Sequence, residues 1–179
     1  MFRWLVWLSR IHCCRGFGIQ SPTDYAFVRY VVNEHWPYYA YDVLHEGDWL
    51  REKLGRLYFR LANWRQPTVI LSDDYQQWWH AGCKKAKCLS DLTPLAPCPL
   101  PLNNIELAHI SINQWDDFLS FLPKCDQQTV LVVEDICRNR PLWQQIARDQ
   151  RTGTTFDLYY CGIVFFDTKR YKHNYKINF

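Results

Sequence analysis

The run TVLVVEDI, Thr129 to Ile136, is apolar and β-branched through most of its length, with no alternation of wet and dry positions. A strand with one solvated face alternates; one that stays apolar throughout must be covered on both sides. That condition is met in the middle of a parallel sheet with helices on both faces. The run therefore predicts an α/β chain with this strand near the centre of its sheet.

The flanking sequence supplies the other layers. Ser21 is placed to cap a helix, with Pro22 at its first position and Asp24 at its positive end. Tyr25, Val28, Val31 and Val32 follow at helical spacing. A longer helix is expected over Asp48 to Trp64, with Leu50, Leu54, Leu57 and Leu61 on one face. TVILS, Thr68 to Ser72, reads as a buried strand after Pro67, Tyr75 to His80 as a short helix, and Ala86 to Leu92 as a weak strand. Thr93 to Asn104 holds four prolines, which exclude both a helix interior and a central strand. Ile105 to Ile112 is a further strand. A helix capped by Asn113 follows, with Trp115, Phe118, Leu119 and Leu122 inward. Another helix starts at Pro141 and carries Leu142, Trp143 and Ile146. Thr154 to Tyr160, Ile163 to Phe166 and Asn174 to Phe179 are strand-like. In the last, Tyr175, Ile177 and Phe179 alternate with polar residues, as in an antiparallel edge strand.

The 179 residues suit one domain, and 17% aromatic residues provide ample core material. A net charge of +3 does not mark a nucleic-acid or membrane binder. Eight cysteines in so apolar a chain read as reduced thiols of a cytoplasmic protein rather than a disulfide framework. The opening MFRWLVWLSRIHCC is interrupted by Arg3 and Arg10, too short for a membrane span, and at most a segment lying on a membrane surface.

Several segments, in order, resemble a group of class I methyltransferase-like proteins from Bacteroidetes that carry an N-terminal arm. They are GFGIQSPTDYAFV (Gly16 to Val28), PYYAYDVL (Pro37 to Leu44), KLGRLYFRLANWRQPTVIL (Lys53 to Leu71), VLVVEDI (Val130 to Ile136), and TFDLYYCGIVFF (Thr155 to Phe166) with the closing YKINF. The resemblance implies a Rossmann-like class I methyltransferase-type three-layer sandwich. Its sheet would be mostly parallel, with a C-terminal antiparallel hairpin and one βα unit missing from the shortened middle. It divides the chain into an arm and helix over 1–46 and a core over 47–179. It also implies S-adenosylmethionine as cofactor if the protein is active, and none otherwise.

In that family the first strand leads into a glycine-rich turn, because a glycine lets backbone approach the cofactor closely. Here TVIL runs into Ser72, Asp73, Asp74, Tyr75, Gln76, Gln77, Trp78 and Trp79, with no glycine before Gly82. Gln20 stands where the family has histidine. The cofactor-binding candidates are Ser72, Asp73, Asp74 and Asp91. Asp73 and Asp74 read first as caps of the next helix, with Asp74 as N-cap. Trp78 and Trp79 either fill the space a cofactor would take or present an anchor to a protein partner.

Glu134 and Asp135 close the strongest strand, where open α/β sheets place ligand groups, and are the catalytic candidates. Adjacent strand residues face opposite ways, so one can instead cap a turn and the other pair with Arg138 or Arg140. His80, Cys83, Cys88 and Cys98 have ligand types suited to zinc, without the paired short spacings of common zinc modules. A Cys–His nucleophilic pair has the residues but no sign of an activated thiol. The Lys- and Tyr-rich C-terminal run reads as a lysine-protected edge rather than a nucleic-acid surface. No P-loop, serine elbow or zinc-protease motif is present. The sequence supports a methyltransferase-fold pseudoenzyme first, and an active S-adenosylmethionine-dependent methyltransferase on a small molecule second.

Overall fold

A computed structural model of the chain describes residues 3–90, 105–169 and 171–179. The helices are α1 (Arg3–Ser9), α2 (Pro22–Phe27), α3 (Ala40–Val43), α4 (Trp49–Arg65), α5 (Gln76–Gly82), α6 (Trp115–Phe118) and α7 (Arg140–Arg148). The strands are β1 (Val69–Leu71), β2 (Lys87–Leu89), β3 (Ile105–Ser111), β4 (Cys125–Glu134), β5 (Thr155–Asp157), β6 (Cys161–Phe165) and β7 (Asn174–Lys176). They form one sheet in the order β2-β1-β3-β4-β6-β5-β7. β2, β1, β3 and β4 are parallel neighbours, and β6 runs antiparallel to both β4 and β5. The protein is thus α/β, with a mostly parallel mixed sheet of Rossmann-like type.

The central strand is the one its composition demanded. Val130 and Val132 point to one side of β4, into a core with α2, α4 and α5. Leu131 and Val133 point to the other, against α6 and α7. Over residues 129–133 both faces of β4 are dry because helices cover both, and each buried aliphatic side chain contributes about 1.5–3 kcal/mol.

Local signals set the helix starts. The Ser21 hydroxyl accepts from the Asp24 amide, and Asp48 accepts from the Leu50 and Arg51 amides at the head of α4. Past Phe27 the helix widens into a π turn over Val28–Val32. Val28, Val31 and Val32 are buried there, while Tyr25 faces solvent. Buried Arg60 of α4 donates to the Val31 and Val32 carbonyls at 2.6 and 2.9 Å, satisfying acceptors that a helix end leaves open. On α4 the leucine stripe is the inner face, with Leu54, Leu57 and Leu61 fully buried.

Three expectations change. The helix after β3 is capped by Ser111 rather than Asn113, in a capping box with Gln114 that opens a 3-10 turn. β7 pairs parallel to β5, not antiparallel. The hairpin β5–β6 sets β6 beside β4 and leaves β5 outside. A strand that reverses direction after β6 and lands beyond β5 then has to run parallel to β5. The strand expected over Ala86 to Leu92 shortens to Lys87–Leu89. Asp91, Cys98 and the proline-rich segment expected to mark the missing βα unit fall at 91–104, outside the described residues.

The arm meets the C-terminal strand region. Arg10 donates to the carbonyls of Asp157 and Ile177 at 2.7 and 3.1 Å and pairs with the Asp157 carboxylate at 2.7 Å. The Asn178 amide donates to the Cys13 carbonyl at 2.9 Å.

Candidate functional site: a buried polar chain at the carboxyl edge of the sheet

Strand register brings three polar residues together. Ile70 of β1 lies level with Leu107 of β3, so Ser72, two residues on, comes level with His109. His109 lies level with Val132 of β4, and Glu134 follows two residues later on the same face. All three therefore project under α4 and α5.

They form a continuous chain of hydrogen bonds. Ser72 Oγ and His109 Nδ1 are 3.0 Å apart, and His109 Nε2 and Glu134 Oε2 are 2.8 Å apart. Tyr58 of α4 donates to Glu134 Oε2 at 3.1 Å, and Tyr75 donates to Oε1 at 3.2 Å. Trp79 Nε1 donates to Ser72 Oγ at 3.1 Å, and the serine hydroxyl donates to the Asp74 carbonyl at 2.7 Å. One buried-edge carboxylate thus accepts from two phenols and lies within hydrogen-bond distance of His109 Nε2, which is how a charge near a core is tolerated. Burial, reinforced by Glu134, pushes the Tyr58 phenol well above its ordinary range. Burial and Glu134 likewise raise Tyr75. Both phenols therefore stay protonated as donors at neutral pH.

Rings fill the space around this chain. Tyr58 and Trp79 stack with centroids 4.7 Å apart at 12°. Tyr75 meets Tyr58 edge-on at 4.8 Å, and His109 tilts against Tyr58 at 4.9 Å. Helices α4 and α5 approach closely enough to do this because Gly55 and Gly82 lack side chains. A Cβ on Gly55 would run into the Trp78 indole, and one on Gly82 into the Phe59 carbonyl oxygen. These two glycines serve helix packing.

Serine, histidine and glutamate are also the residue types of a nucleophilic triad. Ser72 is only 1% exposed, sealed under the Trp79 indole, and its hydroxyl lies within hydrogen-bond distance of both the Asp74 carbonyl and His109. The arrangement ties the serine into a buried chain of internal polar groups.

The predicted residues separate accordingly. Ser72 and Glu134 belong to the chain. Asp135 turns away with φ +62° and pairs with Arg138 at 3.1 Å. Its carboxyl is raised by burial against the lowering effect of Arg138. Glu134 and Asp135 thus do not meet at one substrate atom. Asp73 accepts from the Gln114 side chain at 3.1 Å. Asp74 is held by Arg51 in a fork of two 2.9 Å bonds, which lowers its pKa. Asp74 is not the N-cap of α5. That place is taken by Tyr75, at φ +58° with no side-chain cap, and the Asp74 carboxylate accepts the Tyr75 amide rather than an amide farther into α5.

Trp78 and Trp79 are both buried, so neither is exposed to anchor a partner. Trp78 donates instead to Glu46 at 2.9 Å. Among the described residues no three His, Cys, Asp or Glu side chains converge as metal ligands, and Cys83 and Cys88 are free thiols. No described helix is long and apolar enough to cross a membrane.

His109, Tyr58 and Tyr75 were not among the predicted site residues. The available signal was His109 itself, a polar ring between the apolar Leu107, Ala108 and Ile110. No family model, curated protein or solved structure matches the chain.

Proposed function

We propose that the chain is a methyltransferase-fold protein that transfers no methyl group and works as a binding protein. A mostly parallel sheet, closed near the C-terminus by a reversed strand and covered by helices on both faces, is the architecture implied by the sequence resemblance. The observation that carries the reading is the Tyr58–Trp79 stack, tied to Ser72 just past β1. In the resembled family that place belongs to the glycine-rich cofactor turn.

S-adenosylmethionine does not fit the residues present. The backbone after Leu71 carries no glycine before Gly82, and Gly82 is used up against Phe59. Ser72, Asp73 and Asp74 are each engaged by protein groups: His109 and Trp79, Gln114, and Arg51. A cofactor would have to evict the Trp79 indole and break the chain to Glu134, leaving buried groups unsatisfied at about 1–3 kcal/mol each.

Calorimetric titration with S-adenosylmethionine and S-adenosylhomocysteine, alongside thermal shift, tests this. The expected result is no heat of binding and no rise in melting temperature at millimolar ligand. Micromolar binding with a matching rise would overturn the reading and restore an active methyltransferase.

A further inference from the structure

A second feature lies along the same edge of the sheet, outside the buried chain. A cavity of about 440 Å³ opens between α1, the head of α4 and the C-terminal residues. Its walls include Trp4, Trp7, Trp49, Tyr160 and Phe179. Trp4 and Trp7 are about half exposed, so the apolar lining faces solvent.

Two cations sit among these rings. Lys53 Nζ lies 5.1 Å from the Trp49 ring centroid and 4.4 Å from that of Phe179. Arg3 lies 5.1 Å from the same Trp49 ring. Neither forms an ion pair with a described carboxylate. Burial, with Arg60 and Arg3 as like-charged neighbours, lowers Lys53 to about 8. An ammonium held against rings without a counter-ion gains free energy from any anion that reaches it. The volume is that of a small-molecule pocket, and the place is the usual one: Tyr160 directly precedes Cys161, which pairs with Glu134 at the carboxyl end of β4.

We propose that this cavity binds a small amphiphilic carboxylate, its head on Lys53 and Arg3 and its apolar body against Trp4, Trp7 and Phe179. One lysine and one arginine among five rings match one negative charge on a mostly hydrocarbon ligand. A polyanion would leave most of its charge against tryptophan. The inference goes beyond the function proposed above and does not depend on it, because the S-adenosylmethionine titration concerns different residues.

The test uses decanoate below its micelle concentration, with decanol and decylammonium as neutral and cationic counterparts, read by tryptophan fluorescence and calorimetry. Saturable one-to-one binding of decanoate is expected, at least about tenfold tighter than decanol, with no binding of decylammonium. In Lys53→Met the decanoate affinity falls about tenfold and the decanol affinity stays unchanged. If that variant does not fold, Arg3→Gln at the solvent side serves in its place, with a smaller loss of the same kind. Equal binding of decanoate and decanol, or no saturation by any of the three, overturns the proposal. So does sedimentation with phosphatidylglycerol vesicles, or concentration-dependent dimerisation, in a protein that does not take up decanoate. Those results would assign the surface to a membrane or to a second copy.

Discussion

At the residue scale the decisive group is Glu134. It does what a strand-end carboxylate in an open α/β sheet is placed to do, which is to meet polar groups, but the groups it meets are internal. Tyr58, Tyr75 and His109 converge on it, and Ser72 and Trp79 extend the chain to β1. Removing the acceptor leaves two buried phenol donors and the His109 ring without their partner. Glu134→Ala is expected to cost about 2–4 kcal/mol, and Glu134→Gln less, because the amide oxygen still accepts. Urea titration of the two variants checks this. An alanine variant as stable as the parent would mean the chain contributes nothing to the fold.

At the element scale, α4 and α5 are locked by two missing side chains. Gly55 and Gly82 are unremarkable in the sequence, since a helical glycine more often costs stability than confers it. Their value depends on a neighbouring helix that sequence alone does not place. Gly55→Ala improves helix propensity yet drives a methyl into the Trp78 indole. Overpacking is expected to win, for a net loss of about 1–3 kcal/mol. A gain in melting temperature would show that Trp78 moves aside freely.

The same contrast separates what was legible from what was not. β4 and α4 were legible because their patterns are local: an unbroken β-branched run, and leucines at helical spacing after an aspartate cap. The parallel pairing of β7 was not, since it depends on where β6 inserts. The Ser72–His109–Glu134 chain depends on register across three strands separated by dozens of residues. Ser72 and Glu134 stand out in the sequence by their positions at strand ends, and only the register adds His109 between them. Asp73, Asp74 and Asp135 have the right chemistry at the right edge, but the backbone turns each toward Gln114, Arg51 or Arg138.

At the scale of the whole molecule, Arg10 and Asp157 join residues far apart in sequence. Asp157 also receives Arg140 at 2.6 Å. Burial raises the Asp157 carboxyl, but Arg140 and Arg10 outweigh it and hold the pKa below its usual value. A carboxyl depressed in the folded state contributes stability above its unfolded pKa of about 3.9, and loses it as pH falls through the folded value. Stability should therefore be flat in this term near neutrality and decline below about pH 4. Arg10→Met removes one partner of a buried carboxylate, and a loss of about 3 kcal/mol is expected. It should also move the acid unfolding midpoint to higher pH. Melts at several pH values measure both effects, and an unchanged acid midpoint would mean that Arg140 alone holds Asp157.

The outermost described strands, β2 and β7, are only three residues each, and they carry exposed Lys87 and Lys176. A partner chain adding itself to a sheet needs a long, flat row of unpaired amides and carbonyls to copy. Here either lip offers too few, beside a charge that like copies repel. A protein this rich in tryptophan and tyrosine can thus keep a broad apolar sheet at its centre without becoming a template for its own polymerisation.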